Sequence, residues 1–142
     1  MKKRQLILAF IIGLLALSLH AQDKPQEPKM HIYSIYFGGG SYYIDGKQIQ
    51  GLSDFIDAIP NIENYAISVH GHTDNIGSVE YNNWLSNMRT EKTLDELVKK
   101  NIPRDIITIS DFGEHNPVYD NSTHQGRIMN RRVDVIIKPL IM

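Results

Sequence analysis

Two kinds of hydrophobic pattern alternate along this chain of 142 residues. Short runs rich in β-branched and aromatic residues predict four strands, at 31–37, 64–71, 105–113 and 131–139. Segments with apolar residues at helical spacing separate the first three strands. The resulting order, β-α-β-α-β-loop-β, predicts an α+β fold with a mixed sheet and both helices packed on one face.

The two predicted helices have recognisable boundaries. The first is predicted over 52–60, where Ser53 can cap the start and Pro60 ends it. The second, longer helix is predicted over 79–100, with Ser78 as its N-cap. The polar loop at 114–130 is predicted to contain one short helical turn.

The first residues carry a different pattern, a basic start followed by an uninterrupted apolar run of 14 residues at 6–19. This run is shorter than the roughly 20 residues that a membrane-spanning helix needs, and a polar stretch follows it. We predict that residues 1–21 are a signal peptide, with an uncleaved anchor as the alternative. Residues 22–30 contain two prolines and alternating charges and are predicted to be a flexible linker before a single domain at 31–140.

Charge and cysteine content narrow the function classes. Without residues 1–21 the 15 basic residues become 12, against 16 acidic residues, a net charge of −4. Such a chain is a poor candidate for binding nucleic acid. It contains no cysteine, which excludes disulfides, thiolate chemistry and a lipid-modified N-terminal cysteine. We expect an exported protein with no membrane span after cleavage.

His70 lies near the end of the second predicted strand, and His72 and Asp74 follow it at alternate positions. Their alternation would place all three on one side of an extended chain and suggests a metal site, similar to the start of the metallo-β-lactamase motif. Asn75 stands where that motif needs another histidine. A divalent-metal hydrolase using His70 and His72 is therefore one interpretation; in the other, one histidine packs in or beside the core and the other lies in a polar loop.

Two further motifs have structural interpretations. The glycine run at 38–40 is expected to let the backbone turn sharply and lie close to whatever fills a cleft. Alternation places Arg131 and Arg132 on opposite faces of the last strand. For Arg132 we expect either an ion pair with an acid on a neighbouring strand or simple solvation. No serine lies in a nucleophile motif, so the sequence gives little support for an enzyme.

Three segments carry a family resemblance: VHGHTDNIGSVEYNNWLSNMRT at 69–90, ISDFGEHNPVYDN at 109–121 and GRIMNRRVDVII at 126–137. Together they resemble the C-terminal domain family of outer-membrane protein A, which includes the peptidoglycan-associated lipoprotein and MotB. The resemblance implies an OmpA-C-like β-α-β-α-β-β sandwich that binds peptidoglycan without cutting it and needs no cofactor. It also implies a periplasmic protein associated with the cell wall or outer membrane. An adaptor that binds other envelope proteins through a defunct wall site is the remaining alternative.

The resemblance implies that Asp74 and Arg89 grip the diaminopimelate of the stem peptide. The free end of diaminopimelate carries an ammonium and a carboxylate, which need one acceptor and one donor fork. Relatives often have an acid after the aromatic residue of the first strand, but here Gly38 follows Phe37. Neither Asp74 nor Arg89 is expected to be needed for folding. The full predicted site comprises Asp74, Arg89, Asn82, Leu85, Thr73, Phe37, Gly38 and Arg131.

Overall fold

The computed structural model describes residues 29–140. The predicted signal peptide and residues 22–28 of the predicted linker lie outside the described residues. The elements in chain order are β1 (His31–Tyr36), α1 (Gly46–Asp57), β2 (Tyr65–Gly71), α2 (Val79–Lys99), β3 (Ile107–Asp111), α3 (His124–Asn130) and β4 (Arg132–Pro139). Single 3-10 turns at Ile62–Asn64 and Arg104–Ile106 precede β2 and β3.

The four strands form one mixed sheet in the order β1-β4-β2-β3. The last strand, β4, inserts between β1 and β2 and runs antiparallel to both. β2 and β3 are parallel, with α2 as the crossover between them. The predicted α+β fold with a mixed sheet is therefore confirmed.

Alternation along the strands separates a buried face of the sheet from an open one. On β4, Val133, Val135 and Ile137 have no exposed surface, whereas Asp134 and Ile136 between them are partly exposed. The buried residues join one apolar core with Leu52 and Ile56 of α1 and Leu94 and Leu97 of α2. Both long helices thus cover the same face, as the sequence predicted.

The helix boundaries show where local capping decides the fold. Ser78 caps α2 as predicted, its hydroxyl accepting from the Tyr81 amide at 3.1 Å. α1 begins earlier than predicted, at Gly46, because the Asp45 carboxylate accepts the Gln48 amide at 3.0 Å. Ser53 is therefore inside α1 and is not its cap. The predicted helical turn in the polar loop is the seven-residue α3, capped by Thr123.

The two ends of the sheet differ in which strand ends and chain ends lie there. β1 and β2 finish, and β4 begins, at one end. At the other end the ring of His31 lies 6.1 Å from that of Tyr65, and the Leu140 amide donates to the Asn64 carbonyl at 2.9 Å. The described chain therefore enters and leaves at the same end, about 20 Å from the opposite end by the length of a seven-residue strand.

No helix between residues 29 and 140 combines the length and the apolar character needed to cross a bilayer.

Candidate functional site

A cleft of about 290 Å³ opens where β1 and β2 finish and β4 begins. Five of the eight predicted site residues line it, and five other residues complete the wall. The lining is Gly39, Gly40, Thr73, Asp74, Ile76, Gly77, Tyr81, Leu85, Arg89 and Arg131. Two guanidinium groups and one carboxylate therefore converge on a small, partly apolar space.

A larger cleft of about 500 Å³ lies at the opposite end of the sheet, between the C-terminal ends of α1 and α2. Isoleucine and asparagine side chains form much of its wall. Its Asp57 and Lys100 pair with each other at 2.7 Å and so neutralise one another. The smaller cleft has the more distinctive chemistry and is the candidate site.

Asp74 is held just past the end of β2 with only 6% of its surface exposed. Its Oδ1 accepts from the amide of Ile76 at 3.1 Å, which closes a short turn on the aspartate itself. Its Oδ2 pairs with Nη1 of Arg131 at 3.2 Å. The carboxylate is thereby oriented and charge-compensated, and its remaining lone pairs can accept from a ligand.

Arg89, on α2, is completely buried. Its Nε donates to the Ser41 carbonyl at 2.8 Å, Nη1 to His72 at 2.9 Å and Nη2 to Gly38 at 3.0 Å. The guanidinium also lies over the ring of Phe37, 4.9 Å from its centroid. Arg89 therefore joins α2 to the end of β2 and to the glycine turn after β1.

Burial lowers the pKa of Arg89 to about 10; Asp74 opposes this shift and Arg131 adds to it. The group is still charged at neutral pH. These contacts and this burial argue against the expectation that Arg89 is dispensable for folding, because three backbone carbonyls would each lose a donor and a buried charge network would be broken. An arginine has five N–H groups, so one hydrogen on each terminal nitrogen remains for another acceptor.

The two consecutive arginines do different jobs, as their alternation predicted. Arg131 donates from Nε to the Phe37 carbonyl at 3.1 Å and reaches Asp74, with 16% of its side chain exposed. Arg132 lies against Tyr119, 5.7 Å from the ring centroid, and pairs with Asp134 at 3.0 Å. The acid that Arg132 meets is on its own strand, two residues along, and not on a neighbouring strand as expected.

The remaining predicted residues form the wall of the cleft or support it. Leu85 and Thr73 are buried and line it, and the Thr73 hydroxyl has no hydrogen-bond partner within the described chain. Asn82 is buried behind the wall, where its Nδ2 donates to Glu114 at 2.6 Å while its Oδ1 is unpaired. Phe37 and Gly38 contact Arg89 and lie beside the cleft.

Sequence reasoning missed Tyr81 and Gly77, and it did not connect Gly40 of the predicted glycine turn with Tyr81. Gly40 (φ +66°) and Gly77 (φ +113°) adopt backbone conformations that favour glycine. A Cβ at Gly40 would lie 3.2 Å from Oη of Tyr81, and a Cβ at Gly77 would lie 3.0 Å from its Cδ1. The Tyr81 side chain therefore forms one side of the cleft mouth, packed closely against two glycines. The glycine run indicated a sharp turn, but nothing in the sequence indicated which side chain it would meet.

The two histidines lie away from the cleft, against Phe112. His72 stacks on this ring with centroids 5.2 Å apart, and His70 meets its edge at 5.3 Å. Burial, with a further contribution from Arg132, lowers the pKa of His72 to about 4 against the opposing charge of Asp134. Asp74 does not share their side, because β2 ends at Gly71 and the strand alternation stops there.

Residues 29–140 contain no group of three histidine, aspartate or glutamate side chains placed to hold a metal ion. The contacts of His70 and His72 are those of packing residues.

Comparison with known proteins identifies related sequences. The model of the OmpA family matches residues 36–131. Over 90 residues the chain is 38% identical to outer membrane porin F of Pseudomonas fluorescens, covering 63% of this chain and 27% of the porin. Over 93 residues it is 32% identical to the peptidoglycan-binding protein ArfA of Mycobacterium bovis, covering 66% of this chain and 28% of ArfA. The matched region thus spans about a quarter of these relatives.

Solved structures share the fold at low sequence identity. The C-terminal domain of Helicobacter pylori MotB matches with a TM-score of 0.66 and 21% identity, covering 78% of this chain and 87% of that domain. The peptidoglycan-associated lipoprotein from Burkholderia pseudomallei matches with a TM-score of 0.63 and 24% identity, covering 74% of this chain and 89% of the lipoprotein chain.

Proposed function

Because this chain belongs to the OmpA family, we propose that it is a non-catalytic domain that binds peptidoglycan through the diaminopimelate of the stem peptide. We place it in the periplasm, exported by its N-terminal segment and held at the cell wall. The observation that carries this proposal is the convergence of Asp74, Arg89 and Arg131 on one cleft. ArfA, named as a peptidoglycan-binding protein, and the peptidoglycan-associated lipoprotein support the same role.

The ligand chemistry matches the charges in the cleft. The free end of diaminopimelate carries an ammonium and a carboxylate on one carbon. Asp74 accepts from the ammonium, and the guanidinium of Arg131 donates to the carboxylate. Leu85 and Ile76 contact the aliphatic part of the ligand, and the unpartnered Thr73 hydroxyl supplies one more polar contact.

Arg89 lies buried in the wall of the cleft, behind the surface that a ligand meets first. Its two remaining N–H groups suit a carboxylate, yet the side chain has no exposed surface. We therefore infer that Arg131 meets the ligand first, and that Arg89 contacts it once the glycine turn at 38–40 shifts. Three consecutive glycines make such a shift easy. Relatives often carry an acid after the aromatic residue, and here the backbone of this turn would have to do the work of that acid.

Co-sedimentation with purified sacculi tests the site. Asp74→Asn removes one charge while keeping the side-chain shape, Arg131→Gln removes the opposite charge with a shorter polar side chain, and neither residue belongs to the apolar core. Loss of a charge-assisted contact weakens binding by about tenfold to a hundredfold. The matched control is Asp57→Asn, an exposed carboxylate at the opposite end, which should sediment like wild type. Sedimentation of both cleft variants at the wild-type level would refute the assignment.

The specificity for diaminopimelate needs a second comparison. Sacculi with lysine in the third position of the stem peptide keep the amine and lack the carboxylate. Wild type should prefer the diaminopimelate form, and Arg131→Gln should reduce that preference. Equal retention on both wall types would disprove the diaminopimelate assignment while leaving peptidoglycan binding intact. Retention on neither would disprove peptidoglycan binding itself.

A further inference from the structure

Three aromatic side chains form an exposed ridge beside the cleft. The rings of Tyr81 and Trp84 lie 5.7 Å apart, and the ring of Tyr42 meets Trp84 edge-on at 5.9 Å. Tyr81 is 41% exposed, Trp84 47% and Tyr42 37%. We call these three residues the aromatic ridge. Exposed aromatic rings that contact one another in a row are typical of a surface that binds something.

The aromatic ridge is continuous with the cleft. Tyr81 belongs to both. Its side chain forms one side of the cleft mouth, and its ring also contacts the ring of Trp84, outside the cleft. Tyr42, at the far end, lines a second groove of about 240 Å³ together with Lys92 and Glu96. A ligand that occupies the cleft and extends outwards along α2 therefore passes directly over the ridge.

The chemistry of the ridge suits a sugar ring. A pyranose has one face of C–H groups and a rim of hydroxyl and amide groups. Tyrosine and tryptophan rings offer the complementary combination, a broad apolar face with a polar edge. The surroundings are polar: Glu80 and Asn83, close to Trp84 on α2, are both exposed. An apolar protein surface would leave these groups without partners, whereas a sugar can bond to them.

Peptidoglycan brings a sugar to this distance from the cleft. Diaminopimelate is the third residue of the stem peptide, and the first residue is attached to an amino sugar of the glycan strand. Three extended residues span at most about 10 Å. Trp84 is one ring step of 5.7 Å from Tyr81, which lines the cleft, and this step falls within that reach.

We propose that the aromatic ridge is a glycan subsite, in which an N-acetylated amino sugar stacks on Trp84 while the end of its stem peptide occupies the cleft. This inference rests on the proposed function and extends it from the peptide to the sugar.

Comparing two ligands distinguishes the contribution of the ridge to binding from that of the cleft. One is the free stem peptide with diaminopimelate, and the other is the same peptide attached to its disaccharide. Trp84 is the sole tryptophan of the chain, so its fluorescence reports on the ridge directly. The disaccharide-peptide should change its emission, and the free peptide should change it little. Calorimetry on the double variant Tyr42→Ala/Trp84→Ala should show about 3- to 10-fold weaker binding of the disaccharide-peptide and unchanged binding of the free peptide.

Tyr43→Ala is the matched control, because Tyr43 is 74% exposed, lies next to Tyr42 and contacts no ring of the ridge. Equal losses for both ligands in the double variant would show that the ridge only shapes the cleft, and unchanged binding of both would exclude a sugar contact. Either result overturns the subsite while the proposed function stands. A wild type that binds neither ligand overturns both. If wild type is a dimer and the double variant is a monomer, the ridge is instead the surface that binds a second copy of the chain.

Discussion

The two arginine residues of the cleft have the same side-chain chemistry and differ in burial. Arg89 and Arg131 both carry a guanidinium towards Asp74, yet Arg89 has no exposed surface and Arg131 has a partly exposed side chain. Arg89 donates three hydrogen bonds to backbone carbonyls, so it is part of the fold as well as of the site. Arg131 pairs with Asp74 in the wall of the cleft, where 16% of its side chain is exposed, and a ligand carboxylate there would take the place of Asp74 as its charge partner.

Substitution of Arg89 should therefore affect folding as well as binding. Arg89→Ala removes three hydrogen bonds and a buried side chain, and we expect a loss of roughly 3 kcal/mol in the free energy of unfolding. Arg131→Ala removes one hydrogen bond to the Phe37 carbonyl and the partner of Asp74, and it should cost less, about 1–2 kcal/mol. Urea unfolding of both variants and wild type measures the difference. Equal stability of the two variants would contradict the structural role assigned to Arg89.

His72 should make the fold sensitive to acid. Its pKa is about 4 when folded, below the ordinary value of 6.5, so the unfolded chain binds the extra proton as pH falls from 6.5 to 4. Stability is retained above pH 6.5 and decreases by about 1.4 kcal/mol per pH unit through this window, roughly 3 kcal/mol in all. The free energy of unfolding of His72→Gln should be less steep in pH than that of wild type. His115→Gln, at an exposed position, should keep the wild-type slope; parallel profiles for His72→Gln and wild type would refute this role.

At the scale of elements, the turn after β1 determines the shape of the cleft. Its carbonyls at Gly38 and Ser41 accept from Arg89, and Gly40 brings the backbone under Tyr81. This arrangement needs a left-handed residue at Gly40 and leaves Gly39 unconstrained, since a Cβ at Gly39 would meet nothing within 4 Å.

Adjacent glycines thus offer a matched test. Gly40→Ala should cost about 1–2 kcal/mol in the free energy of unfolding, because φ is +66° there and the new Cβ would crowd Tyr81. Gly39→Ala should be close to neutral. Thermal melting compares the two, and sacculus binding should decline for Gly40→Ala alone. A similar cost at both positions would mean that the turn does not depend on the conformation of Gly40.

The same elements show how far sequence reasoning extends. Short runs of β-branched and aromatic residues located all four strands, and Ser78 marked the start of α2, because these signals act within a few residues. The start of α1 was missed because Asp45 caps a first turn that has little apolar periodicity. The motif segments identified Asp74 and Arg89 as site residues, and both line the cleft. The position of Tyr81 and the donors used by Arg89 depend on long-range packing, which local patterns do not encode.

At the scale of the whole molecule, the fold separates the cleft from the points where the described chain enters and leaves. The residues around Asp74 lie at one end of the sheet, and His31 and Leu140 lie at the other. Since β4 inserts between β1 and β2, the strands that lead to the cleft are hydrogen-bonded along their whole length to a central partner.

This placement has a mechanical consequence. When the cleft holds the wall and tension is applied through residue 29 or residue 140, the pull runs lengthwise along β1, β4 and β2. The ladder hydrogen bonds lie across that direction. They are therefore loaded in shear and resist together, whereas a pull from one edge of the sheet would open them one pair at a time. If the cleft binds peptidoglycan as proposed, the domain would withstand stretching between the cell wall and the chain that enters or leaves at its other end.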